Sequence, residues 1–159
     1  MKKIFASYSL LLLISMAQTV MAHEFKVGSI TVDHPYAAVS MAGSKNGAVY
    51  FKGFKNAGKE VDQLISVKSK IADKTEIHEM KMEGDRMMMR ELNGLEIPAK
   101  GSAQLKPGGN HLMFMQLKEP FKEGEVSPVQ LQFEKAGKVD IKLPVKAMGH
   151  SGMGHSKNH

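Results

Sequence analysis

The sequence predicts an all-β fold, a β-sandwich or Greek-key barrel, on three observations. Short runs rich in β-branched and aromatic residues recur from Lys26 to Val145. Turn signals built on Gly, Asn, Asp and Pro separate them at short intervals. Helical periodicity is nearly absent, and Ser66 to Lys74 has room for one helical turn at most. Several short strands with frequent turns are the pattern of a sandwich or barrel.

The elements follow in order. Lys26 to Val32 alternates apolar and polar residues, with Val27, Ile30 and Val32 as anchors. Gly47 to Phe54 is dense in aromatic residues, and Val61 to Val67 is a further short run. Then come Thr75 to Met82, Met87 to Leu92, Ala103 to Leu105, His111 to Leu117, Pro128 to Glu134 and Val139 to Val145. The breaks between them include Lys55 to Gly58, Glu83-Gly84-Asp85, Lys106 to Asn110, Lys122 to Gly124 and Lys135 to Lys138.

The two ends differ from this middle. Residues 1–22 begin with Lys2 and Lys3, continue through an apolar stretch centred on Leu10 to Ile14, and finish Val20-Met21-Ala22. That is the form of a signal peptide cleaved after Ala22. The apolar run is shorter than the roughly 20 residues that span a bilayer. The expected mature protein is therefore exported, periplasmic and free of the membrane. Residues 147–159, AMGHSGMGHSKNH, hold no branched aliphatic residue, cannot bury a face, and read as a disordered tail. One domain, 23–146, lies between, and this is large enough for a single core.

Net charge is +6, with 22 basic against 16 acidic side chains, and loss of Lys2 and Lys3 lowers it to +4. The lysines are scattered, and aromatic residues are only 6% of the chain, so no basic and aromatic surface suggests nucleic acid. No nucleophile and base pairing and no phosphate loop is visible, which argues against an enzyme. There is no cysteine, so no disulfide staples the fold and no lipid-modified cysteine is possible. Any soft-metal site must also be built without thiolate.

Four residues then stand out: His78, Met89, His111 and Met113, spaced His-x10-Met-x21-His-x-Met. Thioether sulfur is a good ligand for Cu(I) and a poor one for hard cations, and imidazole suits copper as well. Strand parity tests whether they share a face. A two-residue turn at Gly84-Asp85 pairs Glu83 with Arg86 and so sets Met80 opposite Met89. His78 lies two residues from Met80 and becomes a diagonal neighbour of Met89, at roughly 7–8 Å. His111 and Met113 are also two apart and share a face, and Gly108-Gly109 before them allows a sharp turn. Methionines in strands are more often core than ligand. Met87-Met88-Met89 must point to both faces, so at least one of them is packing, and Met87 and Met88, outside the spaced quartet, are assigned to it. On spacing alone a copper site and ordinary core packing both stay open.

The segments EIHEMKMEGDRMMMR (Glu76 to Arg90), GLEIPA (Gly94 to Ala99) and LKPGGNHLMFMQLK (Leu105 to Lys118) resemble the periplasmic copper chaperone family PCuAC. The likeness runs from about His23 to Val145 and reproduces the His-Met spacing. It includes Asp33-His34-Pro35-Tyr36, where family members often carry Trp in place of Tyr36. The resemblance implies a cupredoxin-like barrel that binds one Cu(I) through His78, Met89, His111 and Met113. Met80 is then a supporting or spare ligand. It implies delivery of copper to the dinuclear copper centre of cytochrome c oxidase, with an oxidase subunit or another assembly chaperone as acceptor. The chain is expected to be a monomer. The alternative is a copper-sequestering or tolerance protein with no dedicated acceptor.

A blue-copper electron carrier is excluded at this site, since it needs a cysteine thiolate. Neutral thioethers need no deprotonation, so copper loss below about pH 6 should follow the two imidazoles. Met148, His150, Met153, His155 and His159 of the tail are candidates for a second copper, held as Cu(II). His23, exposed by cleavage after Ala22, would join its amine and imidazole in another Cu(II) chelate. His34, before Pro35, is assigned a structural role.

Overall fold

Eleven strands and no helix make up the described residues, 24–148, of a computed structural model. The expected leader and His23 lie outside the described residues, as do His150, Met153, His155 and His159 of the tail.

β1 (Glu24–Val27) and β2 (Ile30–Ala38) form a hairpin in which Val27 pairs with Ile30. The single strand expected over Lys26 to Val32 is thus two. Gly28 adopts φ +53°, a conformation open to glycine, and the chain reverses there. β3 (Gly47–Asn56) runs antiparallel to β2, from Ile30 against Asn56 to Ala37 against Val49. β4 (Asp62–Ser69), β5 (Ala72–Glu83) and β6 (Arg86–Leu92) follow. The stretch with room for a helical turn is instead the end of β4, a tight turn and the start of β5. β7 (Leu95–Ile97) and β8 (Ser102–Leu105) are short. At three residues, β7 is too brief for alternation to reveal. β9 (His111–Leu117), β10 (Val126–Phe133) and β11 (Lys138–Lys146) complete the chain.

The strands lie in the order β6-β5-β9-β3-β2-β11-β10-β4-β7, with β1 on β2 and β8 on β3. The path is open, and β6 and β7 are its ends. β11 joins the two halves. It pairs antiparallel with β10 as far as Pro144, then parallel with β2 at Val145 and Lys146. The halves close on an apolar core in which Phe51, Phe54, Phe114 and Phe133 are almost wholly buried. Phe54 of β3 meets Phe133 of β10 edge-on, with ring centroids 6.0 Å apart. Each such side chain contributes about 1.5–3 kcal/mol by leaving water, which a chain without disulfides depends on.

Candidate metal centre

The turn that sets the site is local. Glu83 pairs with Arg86 across Gly84-Asp85, and Gly84 sits at φ +63° as a two-residue hairpin turn requires. From there the β5–β6 register runs without a slip: Met82 opposite Met87, Met80 opposite Met89, His78 opposite Glu91, Ile77 opposite Leu92. The expected pairing of Met80 with Met89 is present.

The other half of the site arrives on β9, which pairs with the opposite edge of β5. His111 lies directly against His78, Leu112 against Ile77 and Met113 against Glu76. Opposed residues on neighbouring strands point to the same side. His78, Met80, Met89, His111 and Met113 therefore share one face. Ile77 and Leu112 point the other way and are buried in the core. The imidazole rings of His78 and His111 are 5.6 Å apart between centroids and nearly perpendicular, at 86°. Two rings can share one ion at that separation, given imidazole–metal bonds of about 2 Å, as for zinc.

Hydrogen bonds fix which nitrogens are available. His78 Nε2 lies 2.6 Å from Glu76 Oε2. An ionised carboxylate only accepts, so Nε2–H donates and the lone pair of a neutral ring sits on Nδ1. That Nδ1 is buried and is the one buried side-chain polar atom of the described residues without a hydrogen-bond partner. His111 Nδ1–H donates to the Gly109 carbonyl at 3.0 Å, which leaves the lone pair on Nε2. Gly108, at φ +75°, turns the chain so that this carbonyl faces back to the ring. Both imidazoles are held as metal ligands usually are, by a second partner on the far nitrogen.

Glu76 is itself held. Lys74 forms an ion pair with its other oxygen. The Lys74 ammonium, and after it the His78 ring, keeps the Glu76 carboxyl below the ordinary carboxylate range. Glu76 is not among the expected site residues, although its i, i+2 spacing to His78 is the signal that places both on one face. Glu79 pairs with Arg90 at 3.2 Å, and Glu83 lies 3.7 Å from the same guanidinium. These carboxylates are engaged in surface ion pairs.

Exposure grades the site from inside to outside. His111 is 6% exposed and Met89 is 54% exposed. The His78 side chain is 14% exposed, and Met80 and Met113 are half-buried. Met113 flanks the imidazole pair on the Glu76 side, and Met80 and Met89 flank it on the other. Met80 stands one strand nearer to His111 than Met89 does, because β5 lies between β6 and β9. The assignment of Met87 and Met88 to packing does not hold. They are 53% and 46% exposed, because β6 is an end strand with no other described strand laid over it.

Among the described residues, no three His, Cys, Asp or Glu side chains are placed to hold a metal ion. A separate cleft of about 810 Å³ is lined by His34, Tyr36, Lys52, Lys106, Lys146 and Met148 among others, and shares no residue with the imidazole pair. His34 contacts the Asp33 carboxylate there. No helix of the described residues is long and apolar enough to cross a membrane.

Residues 30–145 match the profile of the family described as "LpqE-like: Putative lipoprotein LpqE-like". A protein of Leifsonia xyli subsp. xyli, "Putative lipoprotein Lxx21020", is 33% identical over 111 residues, 69% of this chain. Those residues span 66% of that relative's length. Among solved structures, the copper-bound PCuAC domain from PmoF2 superposes with a TM-score of 0.70. It is 26% identical and covers 79% of this chain and 99% of that one. The apo PCuAC domain from PmoF1 gives a TM-score of 0.66 at 29% identity, over 79% of this chain and all of that one. The Cu(I) form of DR1885 from Deinococcus radiodurans gives 0.57 at 25% identity, over 82% and 85%. The fold shared with these structures is cupredoxin-like.

Proposed function

Because the chain belongs to the LpqE-like family, of PCuAC type, we propose that it is an exported copper chaperone. It binds one Cu(I) through His78, His111, Met113 and Met89, with Met80 able to replace Met89. The observation that carries this reading is the buried, unpartnered Nδ1 of His78 beside the ring of His111. A buried polar atom left bare costs about 1–3 kcal/mol. A metal ion repays that cost, and a ring packed for stability alone would not retain it.

The donor set decides the metal and its oxidation state. Two neutral imidazoles and two neutral thioethers suit Cu(I), and no thiolate is present to build a blue-copper centre. The gradient of exposure decides how the cargo leaves. An acceptor's ligands reach the ion from the Met89 side, replace the exposed thioether first, and displace His111 last. We propose the dinuclear copper centre of cytochrome c oxidase as the destination, reached in the periplasm.

Two measurements test this. X-ray absorption of the Cu(I) protein is expected to show two nitrogen and two sulfur neighbours. A shell without sulfur overturns the site. Deletion of the protein is expected to lower oxidase assembly when copper is scarce. Normal assembly, with lost tolerance to excess copper, would make it a sequestering protein. The tail adds a Cu(II) site in this proposal, and removal of residues 147–159 is expected to lower total copper while the Cu(I) site stays filled.

A further inference from the structure

The β5–β6 hairpin continues past the imidazole pair. β9 pairs with β5 only up to His78, so residues 79–83 and 86–90 form a two-stranded arm with no third strand paired to it among the described residues. Its two faces differ sharply in chemistry. One carries Glu79 opposite Arg90, Lys81 opposite Met88 and Glu83 opposite Arg86, with Arg90 in ion pairs to Glu79 and Glu83. The other carries Met80 opposite Met89 and Met82 opposite Met87, and nothing else. Met82, Met87 and Met89 are 56%, 53% and 54% exposed.

Packing does not account for Met82, Met87 and Met89, which are about half exposed on a two-stranded arm, and Met80 is half-buried at its base. Strand formation does not account for them either, since β-branched and aromatic residues serve a strand better than Met. Edge strands usually carry charge or proline instead of an apolar row. What the four positions share is sulfur. Opposed side chains on neighbouring strands have Cβ atoms about 4.5–5.5 Å apart, so two flexible thioethers there can close on one ion. Successive rungs on one face are about 7 Å apart along the strand. The rungs Met82–Met87, Met80–Met89 and His78–His111 thus step from the arm's tip to the buried imidazoles.

We propose that Met82 and Met87 form a second, weaker Cu(I) site made only of thioethers, through which Cu(I) enters and leaves the His-Met centre. This rests on the reading of that centre as a Cu(I) site. Transfer is ligand exchange with no change of oxidation state. The ion passes from the Met82–Met87 pair to Met80 and Met89, and from there to the imidazoles. The tip site is weaker because it has no imidazole and faces water. Weak binding at the exposed end allows rapid handover, and strong binding at the buried end retains the cargo.

The experiment uses the full chain, with 13C-labelled methionine methyls, titrated anaerobically with Cu(I) supplied as its acetonitrile complex. The first equivalent is expected to move the Met89 and Met113 methyls, and further Cu(I) to move those of Met82 and Met87. Stopped-flow transfer of one bound Cu(I) to bathocuproine disulfonate is then compared between wild type and the double variant Met82→Leu with Met87→Leu. The variant is expected to transfer about tenfold more slowly, with first-equivalent affinity kept within about twofold. Stationary Met82 and Met87 methyls through two equivalents, or an unchanged transfer rate, overturn the proposal and leave the His-Met centre intact. Movement of the Met82 and Met87 methyls alone, with those of Met89 and Met113 unmoved, overturns the His-Met centre and with it the route through the tip.

Discussion

Two regions of this molecule bury polar side chains to a similar degree and treat them in opposite ways. Around Asn56 and Asp62, each 3% exposed, every polar atom is answered. Asn56 Nδ2–H donates to the carbonyls of Glu60 and Ile97 at 2.7 and 3.3 Å. Its Oδ1 accepts from Gly58 N–H at 2.8 Å and from the Ser29 hydroxyl at 3.1 Å. The Asp62 carboxylate accepts from the N–H groups of Gln63, Lys135 and Ala136 at 2.7, 2.9 and 2.9 Å. Around His78 and His111, each ring has a partner on one nitrogen only, and His78 Nδ1 is bare. A closed network of hydrogen bonds fixes loops to strands and belongs to the fold. An open one keeps a lone pair ready for something that is not protein.

The contrast is sharpest under substitution. His78→Leu removes an unpartnered nitrogen, which stabilises, and the Nε2–H bond to Glu76, which destabilises by a similar amount, so apo stability is expected to change by less than about 1 kcal/mol. Cu(I) affinity is expected to fall by more than the roughly 100-fold that marks the upper end for losing a supporting residue. Chelator competition and thermal melts read the two quantities. A large loss of apo stability with affinity retained would reverse the assignment of the two regions.

Asp62→Ala is the converse. It strands the part-buried N–H groups of Gln63, Lys135 and Ala136, and at the lower end of about 1–3 kcal/mol for each the expected cost is about 3 kcal/mol. Denaturant unfolding measures it, and Cu(I) affinity of the folded fraction is expected to be unchanged.

Glu76→Gln tests how the open site is held in place. It weakens the orientation of His78, and Cu(I) affinity is expected to fall about tenfold. The same substitution has a pH signature. The folded-state carboxyl lies below its ordinary value of 4.5, chiefly because of Lys74 and then His78. Its stabilising contribution is therefore complete above that ordinary value and is lost as pH falls through the lower folded value. The stability gap between wild type and Glu76→Gln is expected to be open at pH 6 and closed in strong acid. A gap that widens in acid would show that Glu76 does not carry this ion pair.

The smallest effect belongs to Met88→Leu. Met88 lies opposite Lys81 on the charged face of the arm, and copper affinity and transfer rate are both expected to stay within about twofold of wild type.

The sequence reading reached furthest where the chain acts on its neighbours. Gly84-Asp85 joins two alternating runs by a turn that permits few geometries, so the register of Met80 against Met89 is legible in the sequence. The same local logic failed at Gly28, where alternation continued straight through a reversal. It also failed at Leu95–Ile97, too short a run to show a period. Met87 and Met88 depart from the expected packing for a different reason. Apolar composition indicates what burial would favour, and only the position of β6 at the end of the sheet shows that no partner layer is there to provide it.

By itself the sequence determined the all-β class and the soft, thiolate-free side chains of the candidate site. It also placed His78 with Met89 on one hairpin face, and His111 with Met113 on another. These are properties of residue type and of spacings of two to eleven residues, which strand alternation and turn geometry translate directly. The tertiary structure alone decided that β9 lies against β5 with His111 facing His78, residues 33 apart in sequence. It also decided that one imidazole nitrogen is buried with no partner, and that the thioether row extends into solvent. Pairing between distant strands is set by how the whole core closes, because the free energy of closing it is shared among side chains that no local pattern connects.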